Sequence, residues 1–194
     1  MNQKAQGPEP FYPSSREAWR QWLQEHHARE QSVWIIYYKK KAGMPTITWS
    51  EAVDEALCFG WIDSKAMPVD EDKYRQFFSR RKAGSTWSKI NKDKVAQLMQ
   101  EGKMAPAGYD SIAVAQKNGS WNILDDVEAL IIPPDLETAF KDVPRSKDFF
   151  LSLSKSMRKN ILQWIVLAKR EETRQKRVKE IAELTGRQER PRQF

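Results

Sequence analysis

The alternation of apolar and polar positions divides the chain into short strands set among helices. Residues 32–39 are rich in β-branched and aromatic side chains, which predicts a strand. Because both of its alternating sets are apolar, we expect this strand at the centre of a sheet. Two more strands are predicted at residues 61–69 and 73–79, joined by a hairpin-like link. Three short strands without a long βαβ alternation indicate a small, mainly antiparallel sheet.

Helical periodicity accounts for most of the remaining residues. A capping-box pattern that begins at Ser14 precedes an apolar stripe and predicts the first helix. Ser50 is expected to cap a second helix, and Gly60 fits its end, where a positive φ is needed. A third helix is predicted to begin at Ser85 or Ser88. We expect these helices to pack on the sheet.

The order of these elements predicts the domain organisation. An α+β domain is expected over residues 14–132, and a helical C-terminal subdomain that packs on it over residues 133–186. Residues 1–13 are expected to form a disordered lead-in and residues 187–194 a tail. The predicted fold class is therefore α+β, with a small antiparallel sheet packed with helices and followed by an all-helical part.

Composition limits the kinds of site that the chain can build. Cys58 is the one cysteine, and the two histidines, His26 and His27, are adjacent, so on a helix they point about 100° apart. A Cys/His zinc site is thereby excluded, whereas a site made of carboxylates alone stays open. We predict no cofactor and no metal.

The distribution of apolar residues also bears on the compartment. The first ten residues are polar and lack the apolar region of a signal peptide, and no apolar run reaches membrane-spanning length. A single cysteine and no export signal predict a cytoplasmic protein that does not insert into membranes. The oligomeric state is left open.

The net charge of +7 is concentrated in part of the chain. Residues 155–192 carry 12 Lys and Arg against 5 Asp and Glu, and residues 73–94 carry eight cations against Asp93 alone. Basic segments attract nucleic acid and phosphorylated ligands, so nucleic acid is a possible partner. Solvated helix faces are the plainer interpretation, above all for residues 155–192.

The extended segment after Gly60 offers the first candidate binding residues. Trp61 and Asp63 are expected to share one face of the strand, and Ser64 to lie on the other. An acid beside an indole on a sheet is able to bind a ligand. Asp63 is equally suited to cap a turn or to pair with Arg75.

The basic loop before the third helix is the best candidate for an anion site. The first N–H groups of a helix are unpaired and attract anions, and Trp87 is able to stack on a base or ring. The plainer interpretation is a capped helix with solvated cations and Trp87 in the core. No Walker A motif is present. The candidate residues of this loop and helix start are Arg80, Arg81, Ser85, Trp87, Ser88, Lys89 and Asn91.

Cys58 and Asp63 are the residues on which an enzymatic function would depend. A nucleophilic cysteine needs a neighbouring base or a lowered pKa, and the histidines are predicted in another helix. Cys58 also lies between Leu57 and Phe59, which favours a small buried side chain. We therefore assign no catalytic residue.

Four segments in order along the chain carry a family resemblance: residues 51–64 (EAVDEALCFGWIDS), 85–91 (STWSKIN), 102–108 (GKMAPAG) and 164–174 (WIVLAKREETR). They resemble the YdeI/OmpD-associated family, also described as bacteriocin-protection proteins, and the likeness runs from about residue 19 to residue 186. It implies a link to survival under bacteriocin or cationic-peptide stress and to outer-membrane protein biology, and it implies no established chemistry. Arg80 stands where the family tends to have a proline, so this loop is expected to be less rigid.

Three functions follow from these observations, in order of preference. The first is a non-catalytic protein that binds an anionic small molecule or a protein partner between residues 61–64 and residues 80–89. The second is a nucleic-acid-binding protein that uses residues 73–94 and 155–192, which requires both segments on one face. The third is a small-molecule enzyme that uses Cys58 or Asp63.

Overall fold

The sheet is formed by three antiparallel strands, and β3 lies between the other two. The computed structural model describes residues 10–191. Its spatial strand order is β1-β3-β2, with β1 at Ser32–Tyr38, β2 at Trp61–Pro68 and β3 at Lys73–Arg80. Both strand pairs are antiparallel, and β2 carries a register shift between Asp63 and Ala66. The α+β class and the β2–β3 hairpin are thus confirmed.

The prediction that the first strand is central was wrong. On β1 only one alternating set is buried, which comprises Val33, Ile35 and Tyr37. The other set is half-exposed, and its aromatic content is what made both faces look covered in the sequence. Phe11 meets the free edge of β1 in a parallel bridge with Ile35, so this part of the predicted lead-in is ordered. The rest of the lead-in, residues 1–9, and residues 192–194 of the predicted tail lie outside the described residues.

The chain divides into two compact units, one that ends at Trp121 and one that begins at Asn122. The helices of the first unit are α1 (Arg16–His26), α2 (Trp49–Cys58), α3 (Lys89–Gln100) and α4 (Pro106–Lys117), with a short 3-10 turn at Lys40–Ala42.

The caps of α1 and α2 lie one and two residues from where the sequence suggested, whereas Ser88, one of the two positions predicted for the start of α3, is its cap. Ser15, rather than Ser14, caps α1 by accepting the N–H of Ala18. Thr48, rather than Ser50, caps α2 and forms a capping box with Glu51. In both helices the true cap satisfies an N–H group that the helix itself leaves unpaired.

Tryptophans and aliphatic side chains fill the core of the first unit on the inner face of the sheet. Its largest fully buried members are Trp19, Leu23, Ile35, Tyr37, Leu57, Trp61, Phe78 and Trp87. One acid also lies there: Glu55 is only 2% exposed. It bonds Arg16 and Arg20 of α1 at 2.5 and 2.6 Å, which compensates the cost of burying its charge.

Two glycines allow α4 to approach the turn between α2 and β2. Gly60 leaves α2 with a φ of +70°, in the left-handed region that glycine adopts without strain. The N–H of Ala105 donates to the carbonyl of Cys58 at 3.0 Å. A Cβ at Gly108 would lie 2.3 Å from that same carbonyl oxygen. The start of α4 therefore rests directly on the backbone at the end of α2.

The second unit is helical throughout its regular structure. It comprises α5 (Asp125–Glu128), α6 (Pro134–Asp142), α7 (Ser146–Ser152), α8 (Lys155–Val166) and α9 (Glu171–Gly186). Its own core includes Leu136, Phe150, Ile161 and Ile165. Arg174 of α9 donates two hydrogen bonds to Asp135 of α6, at 2.6 and 3.0 Å. Across residues 10–191, no helix has the length and apolar character needed to cross a membrane.

The contact at Gly108 makes the first testable prediction. Alanine normally stabilises a helix by about 1 kcal/mol over glycine, yet we expect Gly108→Ala to lower the free energy of unfolding by about 1–3 kcal/mol, because backbone must move. Urea unfolding followed by tryptophan fluorescence measures this, since seven of the eight tryptophans lie in the first unit.

Gly84→Ala is the matched control, because an added Cβ there meets nothing within 4 Å. We expect that change to stay within about 0.5 kcal/mol. Equal stability of the Gly108→Ala variant and the unsubstituted protein would contradict the packing described for α4.

Candidate functional site

Arg81 follows the last residue of β3 and is the centre of the candidate site. Its N–H donates to the carbonyl of Gly60 at 2.9 Å, which extends the pairing of β2 and β3 by one residue. Its guanidinium lies over the ring of Trp87, with the carbon of the guanidinium 3.6 Å from the ring centroid. Nη1 donates to the carbonyl of Thr86 at 3.1 Å. Nε and Nη2 are buried and have no hydrogen-bond partner among the described residues.

Trp87 is a core residue and offers no free face for a base or ring. It is 1% exposed, with Arg81 on its ring and the ring of Trp121 4.9 Å away. The two indole planes are tilted by 49°, and the ammonium of Lys92 lies 5.2 Å from the Trp121 centroid, so each indole of the pair carries a cation. The Trp87 ring orients the Arg81 guanidinium through attraction between a cation and the electron-rich ring face.

Asp63 is the acid that acts on Arg81. Its Oδ2 accepts hydrogen bonds from Nε1 of Trp49 at 2.9 Å and Nε2 of Gln76 at 3.0 Å. Burial lowers the pKa of Arg81 to about 10, and the negative charge of Asp63 opposes this effect. The site therefore holds a guanidinium whose charge the fold disfavours and compensates only in part.

A cavity of about 260 Å³ lies beside this guanidinium, between the loop after β3 and α4. We call it the Arg81 cavity. Lys82 supplies a second cation, and Asp110 and Ser111 supply oxygen atoms from α4. Its lining residues are Arg81, Lys82, Ala83, Trp87, Asp110, Ser111 and Val114.

The loop that carries Arg81 is tied down at several points. Its Ala83 carbonyl accepts from Nδ2 of Asn118 at 2.7 Å and from Oγ of Ser120 at 3.2 Å. Ser85 accepts the N–H of Lys82 at 3.1 Å. The bonds to Ala83 tie the loop to the end of α4 and to the turn that follows it.

Arg80 is itself an anchor of this loop. Its guanidinium donates to the carbonyls of Glu30, at 2.8 Å, and Ala28. These contacts hold the charged end of Arg80 away from the Arg81 cavity. They connect the end of β3 to the residues that follow α1.

The other residues suggested by the strand segment are dispersed. Trp61 is fully buried and edge-on to Trp22, at 5.7 Å between centroids. Ser64 is exposed, and its carbonyl accepts from Gln76 at 3.0 Å. Arg75 stacks on Trp34 on the opposite face of the sheet from Asp63, so the suggested Asp63–Arg75 pair is not formed.

The predicted anion site at the helix start is also altered by the structure. The helix α3 begins at Lys89, so Ser85 lies several residues ahead of it. Ser88 caps the helix and accepts the N–H of Asn91 at 3.3 Å, which occupies one of the N–H groups proposed for an anion. Lys89 pairs with Asp93 at 2.8 Å. Among the cations of this region, Arg81 and Lys82 line the cavity and are therefore best placed to bind an anion.

The structure also adds residues that the sequence did not suggest as candidates. Gln76 fixes Asp63, and Ser111 forms part of the cavity wall. Glu55, which lies outside the set of predicted site residues, is buried. Its position three residues after the buried Ala52 was a signal that it faces inward. No group of three or more His, Cys, Asp or Glu residues within residues 10–191 is arranged to hold a metal ion.

Cys58 is fully buried beside Glu55. Burial raises the pKa of its thiol, and the carboxylate of Glu55 acts in the same direction, which outweighs the hydrogen bond with Arg20. A raised pKa lowers the fraction of thiolate, which is the nucleophilic form. These surroundings favour the interpretation of Cys58 as a buried packing residue over its interpretation as a nucleophile.

Two family models match this chain. The model of a domain of unknown function, DUF8412, matches residues 11–111, which contain Asp63, Arg81 and Ser111. The model described as bacteriocin-protection, YdeI or OmpD-associated matches residues 129–188, so the resemblance to that family is confirmed over the C-terminal part. The segments 51–64, 85–91 and 102–108, which suggested the same family, lie within the first match. No curated protein and no solved structure matches the chain significantly.

The burial of Cys58 predicts slow reaction with a thiol reagent. At pH 8 we expect the folded protein to react with 5,5′-dithiobis-(2-nitrobenzoate) slower than the urea-unfolded chain by on the order of a hundredfold or more, because both exposure and thiolate are suppressed. Absorbance of the released thiolate measures the rate. Reaction of the folded protein as fast as that of the unfolded chain would instead indicate an accessible, reactive thiol.

Proposed function

Since the chain belongs to the DUF8412 family and matches the YdeI/OmpD-associated family over residues 129–188, we propose that it is a non-catalytic binding protein. Its ligand is a small molecule with an anionic group, and the ligand binds in the Arg81 cavity. The single observation that carries this proposal is the buried guanidinium of Arg81, with two nitrogen atoms that no described residue bonds.

The energetics of Arg81 favour an anionic ligand. A pKa that falls from 12.5 to about 10 corresponds to about 3 kcal/mol by which burial disfavours the charged guanidinium. A carboxylate or phosphate in the Arg81 cavity would lie beside the guanidinium, and its negative charge would recover part of this free energy. The fold thus holds the Arg81 guanidinium in a buried position, where a nearby anion would stabilise its charge.

The cavity limits the size and chemistry of the ligand. Its volume of about 260 Å³ is slightly below that of typical drug-sized pockets, which begin at about 300 Å³, so a small metabolite fits best. Lys82 adds a second positive charge. Asp110 adds an acceptor, which favours a ligand that also carries a hydrogen-bond donor such as a hydroxyl or an amine.

The lining supports binding rather than a reaction. The hydroxyl of Ser111 donates to the carbonyl of Gly108 at 2.8 Å and so is not held by a base. Activation of a serine requires such a base within hydrogen-bond reach. The description of the family matched by residues 129–188 names bacteriocin protection, and we propose that ligand binding serves such protection.

Nucleic-acid binding through residues 73–94 and 155–192 remains a second prediction. Several cations of the first segment are engaged inside the protein: Arg80 bonds carbonyls, Arg81 is buried, and Lys94 pairs with Asp54. These contacts reduce the charge that the loop of this segment can offer to phosphates. They do not involve Lys73 and Arg75, the cations in the first half of β3.

A thermal-shift screen of phosphate, sulfate, small dicarboxylates and nucleoside monophosphates tests the proposed ligand class. At 100 times its dissociation constant, a ligand stabilises the fold by about 2.7 kcal/mol. For a chain of this size we expect a rise in Tm of about 5–10 °C. Arg81→Met should abolish that rise, because methionine keeps the apolar contact with Trp87 and lacks the charge.

Lys176→Met is the control, since it removes one positive charge at an exposed position of α9. It should retain the full ligand-induced rise in Tm. The same rise in the Arg81→Met variant, or no rise with any anion tested, would overturn the proposal. In cells, the Arg81→Met gene should fail to restore bacteriocin survival to a deletion strain, whereas the Lys176→Met gene should restore it.

A further inference from the structure

The sheet has a second face, opposite to the one that carries Asp63. Its side chains come from alternate positions of the three strands, and the strand register brings Trp34 opposite Phe77 and Tyr38 opposite Lys73. We call this the outer sheet face and define it by Trp34, Tyr38, Lys65, Lys73, Arg75 and Phe77.

Cations and aromatic rings alternate across the outer sheet face. The Arg75 guanidinium lies 4.4 Å from the Trp34 centroid, and the Lys65 ammonium lies 5.4 Å from Trp34 and 5.9 Å from Phe77. The Lys73 ammonium lies 5.9 Å from the ring of Tyr38. Trp34 and Phe77 meet edge to face at 5.0 Å. One surface thus carries three positive charges directly over three rings.

These rings do not belong to either hydrophobic core. Within residues 10–191, neither Trp34 nor Phe77 is among the side chains packed against the two core clusters. Both are half-exposed, and Lys65 is exposed. Large aromatic side chains usually bury their area in a core, so a set left outside one indicates a binding surface.

The charge of this face is positive, and only Lys73, at its edge, is paired with an acid of the hairpin turn. The three strands together contain one acid, Asp63, and it points to the inner face. Asp70 and Asp72 lie in the hairpin turn, where they pair with Lys73 and Lys41 at 3.4 and 3.3 Å. Nε of Arg75 is buried and has no hydrogen-bond partner among the described residues. The face therefore complements a polyanion.

The geometry points to single-stranded nucleic acid as the occupant of the outer sheet face. This site is separate from the Arg81 cavity and goes beyond the proposed function. Bases stack on the rings of Trp34 and Phe77. The charged groups of Lys65, Lys73 and Arg75 move off the rings and bind the phosphates. Sheet-borne aromatic rings that stack two or three bases are an established physical solution for binding single strands.

Other occupants fit the surface less well. A second copy of the chain, face to face, would bring like charges against like charges, which is unfavourable. An acidic peptide satisfies the cations but leaves the aromatic faces without the flat partners that bases provide. Double-stranded nucleic acid keeps its bases stacked within the helix and so cannot use Trp34 or Phe77.

Fluorescence anisotropy with labelled single-stranded decamers of deoxythymidine and deoxyadenosine tests this inference. We expect binding at 50 mM salt that weakens as salt rises, with a slope of about −2 in the logarithms, because three phosphate contacts release about 0.7 counterions each. The duplex of the two decamers should bind at least tenfold more weakly than either strand.

Two pairs of substitutions separate stacking from charge. Trp34→Leu with Phe77→Leu should weaken single-strand binding at least tenfold and leave the salt slope unchanged, since no charge is lost. Lys65→Gln with Arg75→Gln should reduce the slope by more than half. Lys169→Gln with Lys176→Gln is the control in the other basic segment, and it should change the affinity less than twofold. Thermal unfolding verifies that each variant is folded.

Arg81→Met distinguishes this inference from the proposed function, because it should not change oligonucleotide affinity. Equal binding of duplex and single strand that is insensitive to the two leucine substitutions would overturn the inference, as would no binding at 50 mM salt. Equal competition by a decamer of glutamate would assign the face to an acidic protein partner instead. A dimer that the leucine substitutions dissociate would assign it to a second copy.

Discussion

The first unit depends on the close packing of α4 against the carbonyl of Cys58. This carbonyl accepts the N–H of Ala105, and it is the atom that a Cβ at Gly108 would strike. Two residues later the carbonyl of Gly60 accepts the N–H of Arg81. One short turn therefore sets the position of α4 and of the loop after β3, and these two are the walls of the Arg81 cavity.

Much of the fold follows from local signals in the sequence. The hairpin, the left-handed Gly60 and most helices were predicted because they depend on residues close in the chain. The place of β1 was not, since Trp34 and Ile36 look like buried residues by type, and only pairing with β3 reveals that they face outward. Glu55 was missed for a similar reason, because its partners Arg16 and Arg20 come from another helix.

The candidate site was predicted in part. Asp63 and Arg81 were suggested from different segments, and the structure brings them close enough for the negative charge of Asp63 to raise the pKa of Arg81. Trp61 and Trp87 were suggested for their rings, but composition does not distinguish a tryptophan that binds from one that fills a core. Arg75 was suggested as a partner of Asp63, and the strand register puts the two on opposite faces. A one-residue change of register reverses every such assignment.

The bridge of Phe11 to β1 has a consequence for association between chains. An edge strand exposes N–H and C=O groups that can pair with another molecule and start aggregation. The N–H of Phe11 donates to the carbonyl of Trp34, and the carbonyl of Phe11 accepts the N–H of Ile36. Phe11 therefore covers the middle of that edge. At the other edge, β2 is interrupted by a register shift, carries Lys65 and ends at Pro68, all of which discourage pairing. This small sheet is protected against growth at both sides, on one by its own N-terminal segment.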